Sequence, residues 1–193
     1  MTKSTVSSTR STTSTFINET PGTVLSVTDN KRLHFEVAEN VDSVLQLRDL
    51  AEEALAESRF RAADFSIEKF TKAAKRAAAD TSRHGVLIAT RSDCPIGFAY
   101  CNIGEPLVGT GLLIATVQVL YVGKTTRDTL LGGKAANALL NGVLSWSKSR
   151  RAEELLIHTT SGIKADVNDR FLRRRGFQVI GGSYVIKPKG VLR

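Results

Sequence analysis

The sequence predicts an α/β fold: a mixed, partly antiparallel central sheet with helices on both faces. Three observations carry that expectation. Val44, Leu47, Leu50, Ala51, Ala54 and Leu55 recur at three and four residues, the spacing of an amphipathic helix. From Gly85 onward the period changes to short apolar runs of extended character. The longest run, Leu112 to Val122, is rich in β-branched residues and follows Gly109 and Gly111, which favours a central strand over a buried helix. Helical and extended segments mixed in this way build an α/β sandwich.

Taken in order, residues 1 to 15 are mostly Ser and Thr, with Lys3 and Arg10 as the only charges. Such a segment has almost nothing to bury. We expect a disordered Ser/Thr-rich tail over 1–20 and one domain over 21–193. The wealth of hydroxyls resembles a transit peptide, but the amphipathic arginine pattern is missing, so a solvated tail is preferred. Thr23 to Thr28 and Arg32 to Val37 flank Asp29-Asn30-Lys31 and read as a hairpin. A helix is predicted over Val41 to Arg59, with Asn40 or Asp42 as its cap. A second starts at Ser66, with a slightly displaced capping box, and runs to about Asp80.

Gly85 to Thr90 and Ile96 to Cys101 form a predicted hairpin around Arg91 to Pro95. Glu105 falls in the turn before the central strand. After that strand come a polar loop, Gly123 to Thr129, and a helix over about Leu131 to Ser149. Glu154 to Thr160 reads as a strand, and Lys164 to Arg175 as a helix stopped by Gly176. Phe177 to Ile180 and Ser183 to Lys187 are expected to close the chain as strands. The predicted order is β-α-α-β-β-β-α-β-α-β-β.

The 193 residues, 41% of them hydrophobic, suit one domain with a short appendage. A net charge of +8 asks for an anionic partner: a nucleic acid, a membrane surface or a phosphorylated cofactor. Aromatics at 6% and the absence of a recognised binding motif argue against a dedicated nucleic-acid binder. Cys94 and Cys101 are too far apart for a CxxC pair and read as small reduced core residues of a cytoplasmic protein. His34, His84 and His158 lack zinc-site spacing. No apolar run approaches the length of a membrane span.

Two segments carry a resemblance. Leu120-Tyr-Val-Gly-Lys-Thr-Thr-Arg127 is a strand end and basic loop running into a helix. Phe171-Leu-Arg-Arg-Arg-Gly-Phe177 is a helix ending in a Gly-Phe step. With these the chain resembles the GNAT superfamily of N-acetyltransferases over about Leu33 to Lys187. Glu57-Ser-Arg-Phe60 and Phe65-Ser-Ile-Glu-Lys69 resemble members common in bacteria and their phages. The resemblance implies transfer of an acetyl group from acetyl-CoA to an amine of a small molecule or protein. It implies a cofactor site over Leu120, Tyr121, Val122, Lys124, Arg127, Asp128, Thr129, Leu130, Leu131, Gly132, Gly133 and Lys134. Physical chemistry supports a phosphate there, because helix-start amides and the helix dipole bind anions without any particular side chain. Lys124, Arg127 and Lys134 add positive charge, and Gly132 and Gly133 permit close approach. The family's pattern is Gln or Arg, two residues, Gly, one residue, then Gly or Ala. Counted from Arg127, Leu130 stands at the first glycine and Gly132 at the second.

The implied reaction needs a base for the amine and an acid for the leaving thiolate. The tyrosine that GNAT enzymes often place four residues before the Gly-Phe step is Leu172 here. Tyr184 and Tyr121 are the candidate acids, each also readable as a packed aromatic. Glu105, Glu36 and His158 are the candidate bases; a solvated carboxylate or a core histidine is the ordinary alternative. Backbone amides near Leu120 to Val122 would polarise the carbonyl. Arg170, Arg173, Arg174 and Arg175, with Lys148, Arg150 and Arg151, read as solvated helix ends or as a docking face. A second reading is therefore a GNAT scaffold with reduced chemistry that binds an acidic protein or nucleic acid. A homodimer completing the site is left open.

Overall fold

The computed structural model describes residues 32–184. The predicted tail, and the strand over Thr23 to Thr28, lie outside them. Strands β1 (Leu33–Val37), β2 (His84–Arg91), β3 (Cys94–Gly104), β4 (Ile114–Val122) and β5 (Glu154–Ile157) form one sheet in the order β1-β2-β3-β4-β5. The first three junctions are antiparallel and β4–β5 is parallel. Helices α1 (Val41–Leu45), α2 (Arg48–Glu57) and α3 (Ile67–Ala79) precede β2. The one-turn α4 (Lys124–Arg127) and the long α5 (Leu130–Ser149) separate β4 from β5, and α6 (Ala165–Arg174) follows.

Period-two alternation assigns each face of the sheet its helices. Leu87, Ala89, Ala99, Ala115 and Val117 pack against Ala135, Leu139, Val143 and Trp146 of α5. Val86, Ile88, Phe98 and Tyr121 pack against Val44, Leu47, Ala74 and Ala77 of α1 to α3. Trp146 lies so close to β2 that a Cβ on Gly85 would sit 2.4 Å from its Cε2. No helix among the described residues is long and apolar enough to cross a membrane.

Several details depart from the sequence reading; among them, the predicted loop 123–129 contains the one-turn α4, and the strand read to Thr160 stops at Ile157. The helix predicted over 41–59 is two helices, because the chain turns at Gln46-Leu47 to drive Leu47 into the core, 1% exposed. Asn40 is the cap of α1, accepting from Ser43 N at 2.8 Å. Cys101 is buried, and burial pushes its thiol up to about 12, but Cys94 is exposed at the β2–β3 turn and is no core residue. Phe177 to Ile180 form no strand; Val179 and Ile180 are 60% and 80% exposed. Four residues between Gly176 and Gly181 are β-rich by composition, but a strand exists only where a neighbour pairs with it. The predicted strand from Ser183 begins irregularly and its remainder lies outside the described residues.

Close packing at Gly85 sets the first prediction. Gly85→Ala should destabilise the protein by about 1–3 kcal/mol through overpacking against Trp146. Urea unfolding measures it; unchanged stability would mean that Trp146 has room to move.

Candidate active site

One extra residue in β4 organises its carboxyl end. Val117 pairs with Cys101 and Val119 with Tyr100, so Gln118 is a bulge with no backbone pairing partner on β3, though its side-chain amide donates to Asn102 Oδ1 at 2.8 Å. Before it, Ala115 and Val117 face α5; after it, Leu120 and Val122 do, and Tyr121 faces the α1–α3 side. Pairing with β5 stops at Val117–Ile157 while β4 runs on to Val122 along β3. The two parallel strands therefore part at the bulge. Beyond it the β5-facing edge of β4 has no strand partner among the described residues.

Tyr121, 4% exposed, meets α2. Its hydroxyl is 2.6 Å from Glu53 Oε1 and 2.5 Å from Glu57 Oε2, and its one hydrogen can be donated to one of them at a time. Glu53 Oε1 also accepts the Lys124 amide at 2.7 Å, capping α4 with a carboxylate. Glu57 Oε1 accepts from Arg127, whose guanidinium lies 5.7 Å from the centre of the Tyr121 ring. The pair is largely enclosed, at 15% and 20% side-chain exposure. Arg127 holds the Glu57 carboxyl below its usual range, against the opposing effect of burial. Burial, and then the two carboxylates, push the Tyr121 phenol up. Arg127 Nε is buried without a partner among the described residues.

The chain then turns into α5. Thr129 caps it, accepting from Gly132 N at 3.2 Å. The amides of Leu130 and Leu131 have no acceptor among the described residues, as expected for a first turn. Gly132 is buried because a Cβ there would lie 2.3 Å from Thr126 O, whereas a Cβ on Gly133 would meet nothing within 4 Å. Lys124, Gly133 and Lys134 are exposed around this first turn, and Leu130 is 91% exposed. Across the gap, Ser161 O accepts the Arg59 amide at 2.8 Å, and Lys164 bridges to Asp128. The parting of β4 from β5 is thus bounded by the end of α2, the loop after β5 and the start of α5.

The predicted residues distribute unevenly over this arrangement. Leu120, Tyr121, Val122, Lys124, Arg127, Asp128, Thr129, Leu130, Leu131, Gly132, Gly133 and Lys134 are contiguous at the end of β4 and the start of α5. Arg127 faces inward and Asp128 engages Lys164. His158 is exposed one residue beyond Ile157, at the mouth of the gap. Glu105 is at the opposite end of β4, about 30 Å away along nine residues of strand. There it accepts the Gly111 amide at 2.8 Å within its loop. Glu36 is exposed on the edge strand β1, and Tyr184 is 98% exposed at the last described residue. Glu53 and Glu57 were missed. Their signal is positional: with Leu50 and Ala54 they complete an i, i+3, i+4, i+7 stripe, where acids occupy an inward face. A groove of about 540 Å³ lined by Phe35, Val37, Gly142 and Trp146 lies at the far edge of the sheet, away from this chemistry.

No family model and no curated protein matches the chain. Solved structures do. A ribosomal-protein-alanine N-acetyltransferase from Brucella melitensis biovar Abortus 2308 superposes over 81% of this chain and 99% of its own, with TM-score 0.58 at 17% identity. The aminoglycoside N-acetyltransferase AAC(6')-Iy in complex with CoA matches over 82% and 95%, with TM-score 0.61 at 13% identity. The fold is that of the GNAT acetyltransferases. A transcriptional regulator from Bacillus halodurans C-125 also matches over 80% of this chain and 99% of its own, with TM-score 0.63 at 15% identity.

Glu57 ties stability to pH. Its carboxyl is depressed in the folded state, so its contribution is complete above the ordinary value of 4.5 and disappears as pH falls through the lower folded value. Glu57→Gln should cost about 2–3 kcal/mol at neutral pH. The difference from the parent should shrink in acid. Urea titrations at neutral and acid pH measure both; a pH-independent difference would refute the charged pair.

Proposed function

We propose that this protein is an acyl-CoA-dependent N-acyltransferase that moves an acetyl group from acetyl-CoA to an amine of a small molecule or a protein. The observation that carries the reading is the parting of β4 from β5 at the Gln118 bulge, leading directly to the first turn of α5. An extended ligand can pair with a free strand edge, as a further strand would. The phosphates of the same ligand suit the amides of Leu130 and Leu131, with exposed Lys124, Lys134 and Gly133 beside them. A chain of +8 with this helix start suits a polyanionic nucleotide cofactor. The solved GNAT neighbours include one bound to CoA, which supports the same class of donor.

Acetyl-CoA, when bound, supplies the acyl group on a thiolate leaving group. The free amides of β4 beyond Gln118 are the donors for the carbonyl oxygen as charge develops on it. The acceptor nitrogen must lose a proton as its bond to the acyl carbon forms and the carbon–sulfur bond breaks. His158, at the end of β5 across from Gln118, is the candidate base best supported by its position. Tyr121 is a poor acid for the thiolate, because its hydroxyl serves Glu53 and Glu57. Thiolate leaves readily, so the reaction proceeds without a dedicated acid at lower rate.

The alternative of a scaffold that docks an acidic partner draws on the basic helix ends. Several of those cations have internal partners: Arg150 bonds Thr81 O and lies 4.6 Å over the Trp146 ring, Arg173 pairs with Asp169, and Arg175 bonds Asn141. Such engagement favours the enzymatic reading.

Thermal unfolding with and without acetyl-CoA tests the proposal. At about 100 times the dissociation constant, the ligand should add roughly 2.7 kcal/mol of stability. Lys124→Glu/Lys134→Glu should keep the fold and lose most of the shift, and His158→Gln should keep the shift and slow acetylation of an amine panel read by mass spectrometry. No shift in the parent protein would end the acyltransferase reading.

A further inference from the structure

Arg127 stands where the family's pattern begins, yet its guanidinium faces away from the exposed start of α5 and into the protein. We infer that Arg127 is a positioning residue, not a phosphate ligand: with Glu57, Tyr121 and Glu53 it fastens the Gly123–Arg127 turn to α2, and so sets where the start of α5 is presented. The inference rests on the acyl-CoA reading for what is being positioned, and on contacts for the fastening itself. Two residues of α2, four apart, hold three parts of the turn and strand. Glu57 takes the Arg127 guanidinium, both carboxylates reach the Tyr121 hydroxyl, and Glu53 takes the Lys124 amide. Gly123, 3.1 Å from Leu50 through a notional Cβ, closes the same turn onto α2.

Turning Arg127 outward to a phosphate would be costly. Glu57 would remain as an enclosed carboxylate beside Tyr121 without its cation, and removing one partner of an enclosed pair is strongly unfavourable. Lys124 and Lys134 are already exposed and can meet phosphate without any such loss. The arginine fork holds Glu57 and the Tyr121 face together, a geometry that a lysine point charge does not reproduce. The turn between β4 and α5 is therefore indexed to the helix on the opposite face of the sheet from α5, and the bulge at Gln118 is what lets Tyr121 take part.

Calorimetric titration with CoA at low and high ionic strength separates the two roles, using folded protein so that stability alone does not move the result. The panel is Arg127→Gln, Glu57→Gln, the double variant, Arg127→Lys and Lys134→Gln. For a positioning role, each of the first two weakens CoA by a similar factor, roughly tenfold, the size a supporting contact has at other sites. The double variant is no worse than either single one, because both remove one tether. Arg127→Lys recovers only part of the loss, and salt dependence stays that of the parent, while Lys134→Gln reduces it. If Arg127→Gln alone weakens binding and flattens the salt dependence while Glu57→Gln leaves binding intact or tightens it, Arg127 is a phosphate ligand and the inference is overturned. Parental affinity in both single variants overturns it equally. Should either single variant fail to fold, the charge-exchanged pair Glu57→Arg/Arg127→Glu must recover folding and CoA binding together. If the parent binds no CoA, the acyl-CoA reading fails on its own, and urea unfolding of the same variants decides the tether: additive losses overturn it, and non-additive losses uphold it.

Discussion

The single additional residue in β4 is the constraint on which the site's geometry depends. A strand alternates its side chains strictly, so one inserted residue moves everything after it to the other face. Without the bulge at Gln118, Tyr121 would continue the row of Ala115 and Val117 and point into the α5 side of the core. With it, Leu120 and Val122 fill that side and Tyr121 reaches Glu53 and Glu57. Bulges also bend and twist the strand that carries them. The loss of β5 pairing beyond Val117 coincides with this bend. Backbone groups that leave a ladder must find other partners or face solvent or a ligand. One local irregularity thus turns a buried tyrosine toward an acidic helix and opens the neighbouring strand edge.

Much of this architecture was legible from sequence because it rests on local chemistry. Ser66 accepts the Lys69 amide as a cap should, Asn40 caps α1, and Gly176 ends α6 with φ of +87°. The switch from helical to extended period, read at Gly85, falls one residue after β2 begins at His84. What was not legible depends on the remainder of the molecule. Nothing local to Gln46-Leu47 says that a helix should break there; Leu47 turns inward because sheet and α3 leave an apolar site for it. Phe177 to Ile180 have strand composition, but no neighbour among the described residues pairs with them. Pairing is a property of two segments, and single-sequence periodicity sees only one.

The same distinction separates the legible part of the site from the rest. The contiguous stretch from Leu120 to Lys134 was readable because a strand end, a turn and a helix start follow one another in sequence. Glu53 and Glu57 lie 68 and 64 residues before Tyr121, and no spacing rule joins them. Their one local sign was an acid at each of two inward positions of an amphipathic helix, which ordinarily counts as noise in the pattern. Glu105 shows the converse. A carboxylate in the turn before β4 looked available for chemistry, but that turn is at the strand's amino end, and the carboxylate holds its own loop closed through the Gly111 amide.

Charge explains why the acids are tolerated. Across 36–57 the chain carries Glu36, Glu39, Asp42, Asp49, Glu52, Glu53 and Glu57 against Arg48 alone, within a protein of net charge +8. Most of these acids are exposed and well hydrated. The two that turn inward meet α4: Glu53 accepts the Lys124 amide at its start and Glu57 pairs with Arg127 at its end. An apolar pair at 53 and 57 would pack α2 to the sheet as firmly, but it would leave the Lys124 amide and the Tyr121 hydroxyl without acceptors in a half-buried place. Each of those losses is comparable to a whole hydrogen bond. The carboxylates are therefore dictated by the polar groups at the end of β4, and those groups are there because the strand must turn at Gly123 to present the start of α5.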